Sequence, residues 1–138
     1  MNGPESRRRF AASRVARLAT IRIDGRPHVV PVVFALDGCL IYSIIDAKPK
    51  KSPDLVRLAN IRRDPHVSLL VDAYDEAWEH LWWVRADGLA RVVASGPEYE
   101  TAILLLRAKY SQYQDSTASF GAAVVIRVEH WRSWAFAQ

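Results

Sequence analysis

The chain has 138 residues, of which half are apolar, and its formal net charge is +4. This length suits one domain with a hydrophobic core and is short for two. The 19 basic and 15 acidic residues are mixed along the chain, which argues against a dedicated nucleic-acid binder and favours small anionic ligands. Neither a membrane-spanning stretch nor the apolar core of a signal peptide is visible. We therefore predict a single cytoplasmic domain over residues 1–138 that binds neither membranes nor nucleic acid.

The first third of the chain predicts one helix and three strands. Apolar residues recur at helical spacing from Pro4 to about Val15, with arginines 7–9 on the solvated face. Strand patterns follow over residues 17–24, 27–34 and 39–45, joined by Asp-Gly turns at 24–25 and 37–38. Because Pro31 has no N–H to donate, the second strand should be irregular there or lie at a sheet edge. The pattern predicts an antiparallel meander or barrel, with Cys39 as a small buried residue in a reducing compartment.

The rest of the chain predicts two more helices and further strands. A helix should run from Pro53 to about Arg63, and Pro97 should open another. Strand patterns cover residues 66–72, 81–93 and 122–136. The run over 81–93 is either one bent strand or two short ones, because Asp87-Gly88 can form a bulge or a turn. Residues 111–119 are expected as a loop or a short helical turn.

A basic loop between the third strand and the second helix is the clearest candidate binding feature. Lys48, Lys50 and Lys51 precede Ser52, a plausible N-cap, and Pro53, which suits the first helical position. The free N–H groups and the dipole of a helix N-terminus attract anions, and nearby ammonium groups strengthen that attraction. This pattern favours a ligand that carries phosphate, whereas the simpler interpretation of the same lysines is a solvated turn.

Several kinds of chemistry lack their usual residues. We find no G-x-S-x-G elbow for a nucleophile and neither a G-x-G-x-x-G nor a Walker A phosphate loop. The four histidines are far apart in the sequence, without metal-ligand spacing: His28, His66, His80 and His130. We therefore predict no metal site, and any phosphate is bound without the common nucleotide motifs.

Adjacent tryptophans are the second candidate feature. Trp82 and Trp83 follow each other in a predicted strand, so their side chains point to opposite faces of the sheet. At least one of the two should therefore leave the core and meet a flat ligand or a partner chain, although packing within the core is the alternative.

In order and spacing, six segments resemble the pyridoxamine 5′-phosphate oxidase-like flavin and deazaflavin oxidoreductases, most closely the actinobacterial branch that uses coenzyme F420. The segments are Val15–Thr20, Gly25–Val32, Lys48–Lys51, Leu58–Ile61, Asp64–Val71 and Leu81–Gly88. The resemblance implies a mainly β fold with flanking helices (α+β), a split β-barrel of the FMN-binding type. It also implies a homodimer whose cofactor lies in a groove at the interface between the subunits.

The resemblance also assigns roles to particular residues. The phosphate of the cofactor would be held by Lys48, Lys50, Lys51 and Arg57, with Asn60 nearby. The ring would lie along the strand that contains Pro31 and Val32, against Ser43 and Ile44 of the next strand. Trp82, Trp83 and Trp131 would cover the ring or line the substrate side, from the same subunit or its partner. We call these residues the predicted cofactor site.

The implied activity is transfer of a hydride from reduced coenzyme F420 to a small organic substrate, with the cofactor supplying the chemistry. The loop departs from the Arg-x-x-x-Lys spacing of FMN-binding relatives, which favours the deazaflavin and its extra carboxylates. The alternatives are an FMN-dependent oxidase or reductase of the same fold, a carrier or sensor without turnover, with haem the least favoured ligand, and a nucleic-acid module. No catalytic residue is identified, and a proton could come from solvent, Tyr42 or Tyr74.

Overall fold

The computed structural model describes residues 1–46, 54–115 and 120–137, with only the backbone at positions 54 and 55. Within these residues the chain forms three α-helices and seven β-strands. In chain order they are α1 (Gly3–Ala12), β1 (Ala16–Ile21), β2 (Pro27–Val32), β3 (Ala35–Asp37), β4 (Leu40–Asp46), α2 (Asp54–Arg63), β5 (His66–Ala73), β6 (Trp82–Val93), α3 (Pro97–Lys109) and β7 (Phe120–Ala135). Short 3₁₀ segments cover Trp78–His80 and Ser111–Gln114.

The seven strands form one antiparallel sheet in the order β2-β1-β5-β6-β7-β4-β3. Strands β2 and β3 are at opposite ends of this order, yet only Val33 and Phe34 separate them in the chain. Because so short a link spans roughly 10 Å at most, the two ends of the sheet must lie beside each other. The sheet therefore curls into a barrel that is open between β2 and β3, which confirms the predicted α+β split barrel.

The predicted three-strand meander is wrong in one respect. The second predicted strand is interrupted after Val32, and the Asp37-Gly38 turn joins β3, not β2, to β4. Strand β4 then pairs with β7, from the other end of the chain. Pairing with β7 gives β4 a hydrogen-bonded neighbour on the side opposite β3. The prediction for Pro31 is confirmed, because β2 is an edge strand.

Cys39 is exposed, so the expected buried position is wrong. The residue lies in the tight turn between β3 and β4, where the chain reverses at the surface. Its backbone carbonyl accepts a hydrogen bond of 2.9 Å from the N–H of Val128. The apolar run of the sequence begins only at the next residue, which enters β4.

Strand β4 is buried on both faces, from Ile41 to Ile45. Ile41 and Ile45 belong to the cluster that fills the barrel, with Leu18, Leu69 and Val84. Tyr42 and Ile44 point the other way and pack under α3 in a second cluster, with Leu106 and Val125. This alternation with period two explains why the sequence of β4 is continuously apolar.

The run over 81–93 is one strand with a bulge at Asp87/Gly88. At Gly88 the two backbones approach closely: a Cβ there would lie 2.2 Å from the carbonyl oxygen of Arg127. Only glycine fits at this point of the β6–β7 pair.

Helix α1 packs on β6 and β7 by its apolar and its basic residues. Phe10 is fully buried, and its ring meets that of Trp131 edge-on at 5.1 Å. The guanidinium groups of Arg7 and Arg9 lie 5.8 and 5.4 Å from the ring centres of Trp131 and Trp82. Arg7 and Arg8 are exposed, as expected for a solvated face, and Arg7 and Arg9 also cover tryptophans. None of the described helices is long and apolar enough to cross a membrane.

Candidate functional site

A cavity of about 220 Å³ opens between β2 and β4, and we call it the β2–β4 cavity. Five of the residues predicted for the cofactor site line it together: Pro31, Val32, Ser43, Ile44 and Arg57. The remaining wall is formed by Val33, Asp46 and Tyr113. Residues from two strands and one helix, far apart in the sequence, thus meet at one place.

The cavity lies where the barrel is open. Strand β2 ends at Val32, and the chain crosses to β3 on the other side of the gap. Ser43, which is buried on β4, donates a hydrogen bond of 2.8 Å from Oγ to the carbonyl oxygen of Val33. This bond ties β4 to the crossing segment. The register of β4 against β7 also shifts between Ile44 and Asp46, at the end of β4.

Among the described residues that line the cavity, Arg57 is the cationic one, and helix α2 positions it. Its side chain is 8% exposed, which is unusual for arginine. Leu58 and Ile61 on the same helix pack into the barrel core. Asn60 donates from Nδ2 to Oγ1 of Thr20 on β1 at 3.0 Å. Asn60 therefore does not line the cavity; it anchors the helix that places Arg57 there.

The three lysines of the predicted phosphate site, Lys48, Lys50 and Lys51, lie outside the described residues. The same holds for Ser52 and Pro53, the predicted start of the helix. The loop follows Asp46, which lines the cavity, and leads into α2, which carries Arg57. The role of the lysines stays a prediction.

The charges of the β2–β4 cavity suit a ligand with both an anionic and an N–H-donating part. Arg57 offers N–H donors to a phosphate, and Asp46 offers carboxylate oxygens that can accept from the N–H of a flavin-type ring. Pro31, Val32 and Ile44 add apolar surface for such a ring. The residues present therefore fit a phosphate-bearing flavin or deazaflavin.

His28 on β2 lies close enough to Arg57 for the positive charge of the guanidinium group to affect the pKa of His28. Burial lowers the pKa of His28, and the positive charges of Arg22 and Arg57 lower this pKa further. The imidazole is therefore neutral near pH 7 and adds no charge to this part of the molecule.

Tyr113 is a cavity residue that the sequence did not identify. It comes from the 3₁₀ segment after α3, where the sequence predicted a loop or a short turn. Its ring packs edge-on against Phe120, with centres 5.2 Å apart. Burial raises the pKa of Tyr113, and the nearby carboxylate of Asp46 and the hydroxyl of Tyr110 add to the rise. Tyr113 reaches the cavity because of where α3 packs on the barrel. No motif in the sequence around it indicates that position.

The two tyrosines suggested as proton sources lie elsewhere. Tyr42 faces α3 in the second core cluster. Tyr74 is exposed and donates a hydrogen bond of 2.7 Å to Glu76. Neither lines the β2–β4 cavity, so each is unsuited to donate a proton there within one chain.

Trp82 and Trp83 line a different depression, which we call the tryptophan cleft. Its volume is about 390 Å³, and Trp134, Leu70 and Tyr74 also form its walls. Trp83 and Trp134 face each other across the β6–β7 pair. Within one chain, therefore, the predicted tryptophans and the strands predicted for the ring are at separate sites. Trp131, the third predicted tryptophan, is packed against α1.

Two of the four histidines are each paired with a single carboxylate. His66 Nδ1 lies 2.8 Å from Asp64, and His80 Nδ1 lies 3.3 Å from Asp75. In residues 1–46, 54–115 and 120–137, no group of three or more His, Cys, Asp or Glu side chains could hold a metal ion.

Solved structures with the same fold include proteins that are named for different bound groups. The conserved hypothetical protein Rv2991 of Mycobacterium tuberculosis is 27% identical, with a TM-score of 0.77 over 98% of this chain and 85% of that one. A FAD-binding protein of Mesorhizobium loti is 22% identical, with a TM-score of 0.72 over 96% of this chain and 94% of that one. A heme-binding protein of Mycobacterium smegmatis is 21% identical, with a TM-score of 0.74 over 97% of this chain and 54% of that one.

The sequence itself matches a family model. The model, described as pyridoxamine 5′-phosphate oxidase, covers residues 3–135. This range includes every element of the barrel and both walls of the β2–β4 cavity. With the split barrel and the match over nearly its whole length, the chain belongs to the pyridoxamine 5′-phosphate oxidase family.

Proposed function

We propose that this protein is an oxidoreductase that binds a phosphate-bearing flavin-type cofactor in the β2–β4 cavity. The preferred cofactor is coenzyme F420, which in its reduced form passes a hydride to a small organic substrate; FMN is the alternative. The observation that carries the proposal is the meeting of Pro31, Val32, Ser43, Ile44 and Arg57 around one cavity. Family membership and the FAD-binding relative support a cofactor of this type.

The chain's own residues bind and orient the cofactor. Arg57 holds the phosphate, together with Lys48, Lys50 and Lys51 of the preceding loop. Because Arg57 is buried, its interaction with an anion is weakened little by water and salt. Ser43 keeps β4 at a constant distance from the crossing segment through its bond to Val33, so the ring meets a preformed slot. When bound, the flavin or deazaflavin supplies the hydride chemistry.

Tyr113 is a side chain of this cavity that can donate a hydrogen bond at neutral pH. Because burial raises the pKa of Tyr113, its Oη keeps the proton and can donate a hydrogen bond into the cavity. Its ring is held between Tyr110 and Phe120, which limits its motion.

We also propose that a second copy of the chain completes the site. The cavity of one chain, about 220 Å³, is smaller than the roughly 300–1,000 Å³ of typical small-molecule sites. The tryptophan cleft supplies the apolar surface for dimerisation: Tyr74 and Trp134 are 66% and 43% exposed there. Exposed aromatic residues gathered in one place are typical of interfaces.

The proposal is tested by titrating cofactor-free protein with coenzyme F420, FMN and haemin in parallel. Arg57→Gln should weaken binding of the preferred cofactor about 10- to 100-fold, as expected for loss of one charge-assisted phosphate contact. Arg57→Lys should restore part of the affinity. Arg62→Gln is the matched control, because Arg62 is exposed on the same helix. Thermal melting of each variant checks that it is folded.

Each outcome separates one alternative. Tight binding of coenzyme F420 with loss in Arg57→Gln supports the preferred cofactor and justifies a search for a substrate of its reduced form. Tight binding of FMN alone assigns the FMN-dependent branch. Binding of haemin alone, or binding that Arg57→Gln leaves unchanged, would overturn the assignment of the cavity. Binding of a flavin-type cofactor without turnover of any electron-poor substrate would identify a carrier.

A further inference from the structure

A second cavity adjoins the β2–β4 cavity. We call it the Arg14 cavity; its volume is about 340 Å³, and Arg14, Val33, Tyr110, Gln112 and Tyr113 line it. Val33 and Tyr113 are walls of both cavities. A ligand in the Arg14 cavity would therefore lie directly beside a cofactor bound between β2 and β4. Its volume is within the usual range for a small-molecule site.

Two wall residues of the Arg14 cavity, Tyr110 and Tyr113, are aromatic rings held by contacts with their neighbours. The hydroxyl of Tyr110 is 2.8 Å from the carbonyl oxygen of Arg14 and accepts a 3.2 Å hydrogen bond from the N–H of Phe34. Tyr113 stands edge-on to Tyr110, with ring centres 6.1 Å apart. Side chains held in this way offer flat apolar surface at little entropic cost, which suits a planar ligand.

One end of the cavity is positively charged. The guanidinium group of Arg14 lies 4.6 Å from the centre of the Tyr110 ring, and its Nη2 donates to the carbonyl oxygen of Lys109 at 3.0 Å. The Nζ of Lys109 is buried, without a hydrogen-bond partner in the described chain, 3.8 Å from the centre of the Phe34 ring. Neither cation forms an ion pair with a carboxylate of the described residues.

Arg14 lies close enough to Lys109 for their two positive charges to interact. Burial lowers the pKa of Lys109, and repulsion by the charge of Arg14 lowers it further, to about 8, so Lys109 is still mostly protonated at pH 7. The carboxylate of Asp46 belongs to the wall of the β2–β4 cavity. An anion beside Arg14 would be attracted by both cations, whereas a second cation would be repelled.

We infer that the Arg14 cavity is the substrate subsite, and that it accepts a planar, aromatic or conjugated substrate bearing a carboxylate. The ring of the substrate would lie against Tyr110 and Tyr113, and its carboxylate would meet Arg14 and the side-chain amide of Gln112. This inference rests on the proposed function, because it takes the cofactor to be bound in the adjoining cavity. It adds the class of substrate that such a cofactor would reduce.

The test uses benzoate as the probe and benzamide as its neutral counterpart. Both are titrated into the cofactor-free full-length protein, and binding is followed by amide chemical shifts in NMR spectra. Gln112→Glu places a negative charge beside Arg14, and Gln112 is exposed, so the fold should tolerate it. Ser95→Glu is the control, because Ser95 is exposed just before α3, roughly 20 Å along the helix from Tyr110.

The expected result is that benzoate binds at least about fivefold more tightly than benzamide, and that Gln112→Glu weakens benzoate by about the same factor. Arg14→Gln should lower benzoate affinity further, while Ser95→Glu leaves it unchanged. Absence of benzoate binding, equal affinity for benzamide, or equal effects of Gln112→Glu and Ser95→Glu would overturn the inference.

Cofactor titrations of the same variants separate this inference from the proposed function. For a substrate subsite, Gln112→Glu and Arg14→Gln should leave the affinities for FMN and coenzyme F420 within about twofold of the wild type. Loss of cofactor affinity in these variants would assign the Arg14 cavity to the cofactor and overturn the inference. If the wild type binds no flavin-type cofactor at all, the proposed function fails, and it fails independently of the benzoate result.

Discussion

The β2–β4 cavity and the tryptophan cleft are built in opposite ways. The cavity takes its walls from β2, β4, α2 and the segment after α3, which meet only because the barrel closes. The cleft takes its walls mainly from β5, β6 and β7, which are neighbours in one sheet. The cavity therefore depends on the whole fold, whereas the cleft depends on local pairing. From this difference we predict which of the two sites a given substitution should affect.

The β6–β7 pair forms the tryptophan cleft, and β7 also pairs with β4 of the β2–β4 cavity, so breaking it should have the largest effect. In Gly88→Ala the new Cβ would clash with the carbonyl oxygen of Arg127, so we expect a loss of about 3 kcal/mol or more of unfolding free energy. Urea denaturation measures this loss. Gly25→Ala is the control: its site is open, but its φ of +86° disfavours alanine, which should cost about 1 kcal/mol. Equal losses in the two variants would contradict the tight contact at Gly88.

A substitution in the tryptophan cleft should change the oligomeric state, whereas a substitution in the β2–β4 cavity should not. Trp134→Glu places a charge in the cleft and should weaken the proposed dimer roughly 30-fold or more, because buried tryptophans contribute strongly to interfaces. Light scattering over a concentration series measures this change. Arg57→Gln, in the β2–β4 cavity, should leave the dimer intact. A wild type that is monomeric at micromolar concentration would remove the proposed dimer.

Two tyrosine variants should distinguish the contribution of barrel closure to stability from that of the tryptophan cleft. Tyr110→Phe removes the hydroxyl that binds Phe34 and Arg14, and it leaves a buried N–H without its acceptor. We expect a loss of roughly 1–2 kcal/mol in unfolding free energy. Tyr74→Phe, in the exposed cleft, removes only a bond to Glu76 and should cost below about 0.5 kcal/mol. Similar losses would show that closure of the barrel does not depend on Tyr110.

A change of pH should affect stability through Lys109, which packs on Phe34 and Tyr110 where the barrel closes. We expect this to be the smallest of the four effects. The pKa of Lys109 is about 8 in the folded chain and 10.5 in the unfolded reference, so between these values the unfolded chain binds more protons. Stability from this group therefore rises with pH, and its burial is unfavourable below pH 8. Between pH 7 and 9.5 the wild type should gain about 1 kcal/mol relative to Lys109→Met, after allowance for the partial exposure of the side chain. Parallel urea curves of the two proteins would contradict this assignment.

Local patterns were sufficient where the responsible interactions are themselves local. The Asp24-Gly25 turn forms as predicted, with Asp24 accepting from the N–H of Arg26 and Gly25 at positive φ. The helix that ends at Arg63 and the strand that starts at His66 also agree with their sequence patterns. Patterns were insufficient where distant strands pair. The pairing of β4 with β7 and the exposure of Cys39 both follow from where β3 lies, and no local signal indicates that position.

The residues of the candidate site also fall into two groups: those that the sequence indicated and those that only packing placed. Arg57, Pro31 and Ser43 were identified by resemblance to a family, and the fold then placed them around one cavity. Tyr113 was missed, and Asn60 and the two tryptophans proved to lie outside that cavity. Their residue types were noticed correctly, but the direction in which each side chain points depends on packing.

The amino-acid sequence by itself determined the turns and most element boundaries, because hydrophobic period, glycine and proline act over a few residues. The split-barrel class was predicted from the resemblance to a family. Only the tertiary structure decided that β2 and β4 face each other across an open barrel, that α2 delivers Arg57 between them, and that α3 brings Tyr110 and Tyr113 to the same place. The reason is physical: a cavity is a property of surfaces that meet, and residues that are far apart in the chain come together only when the barrel closes.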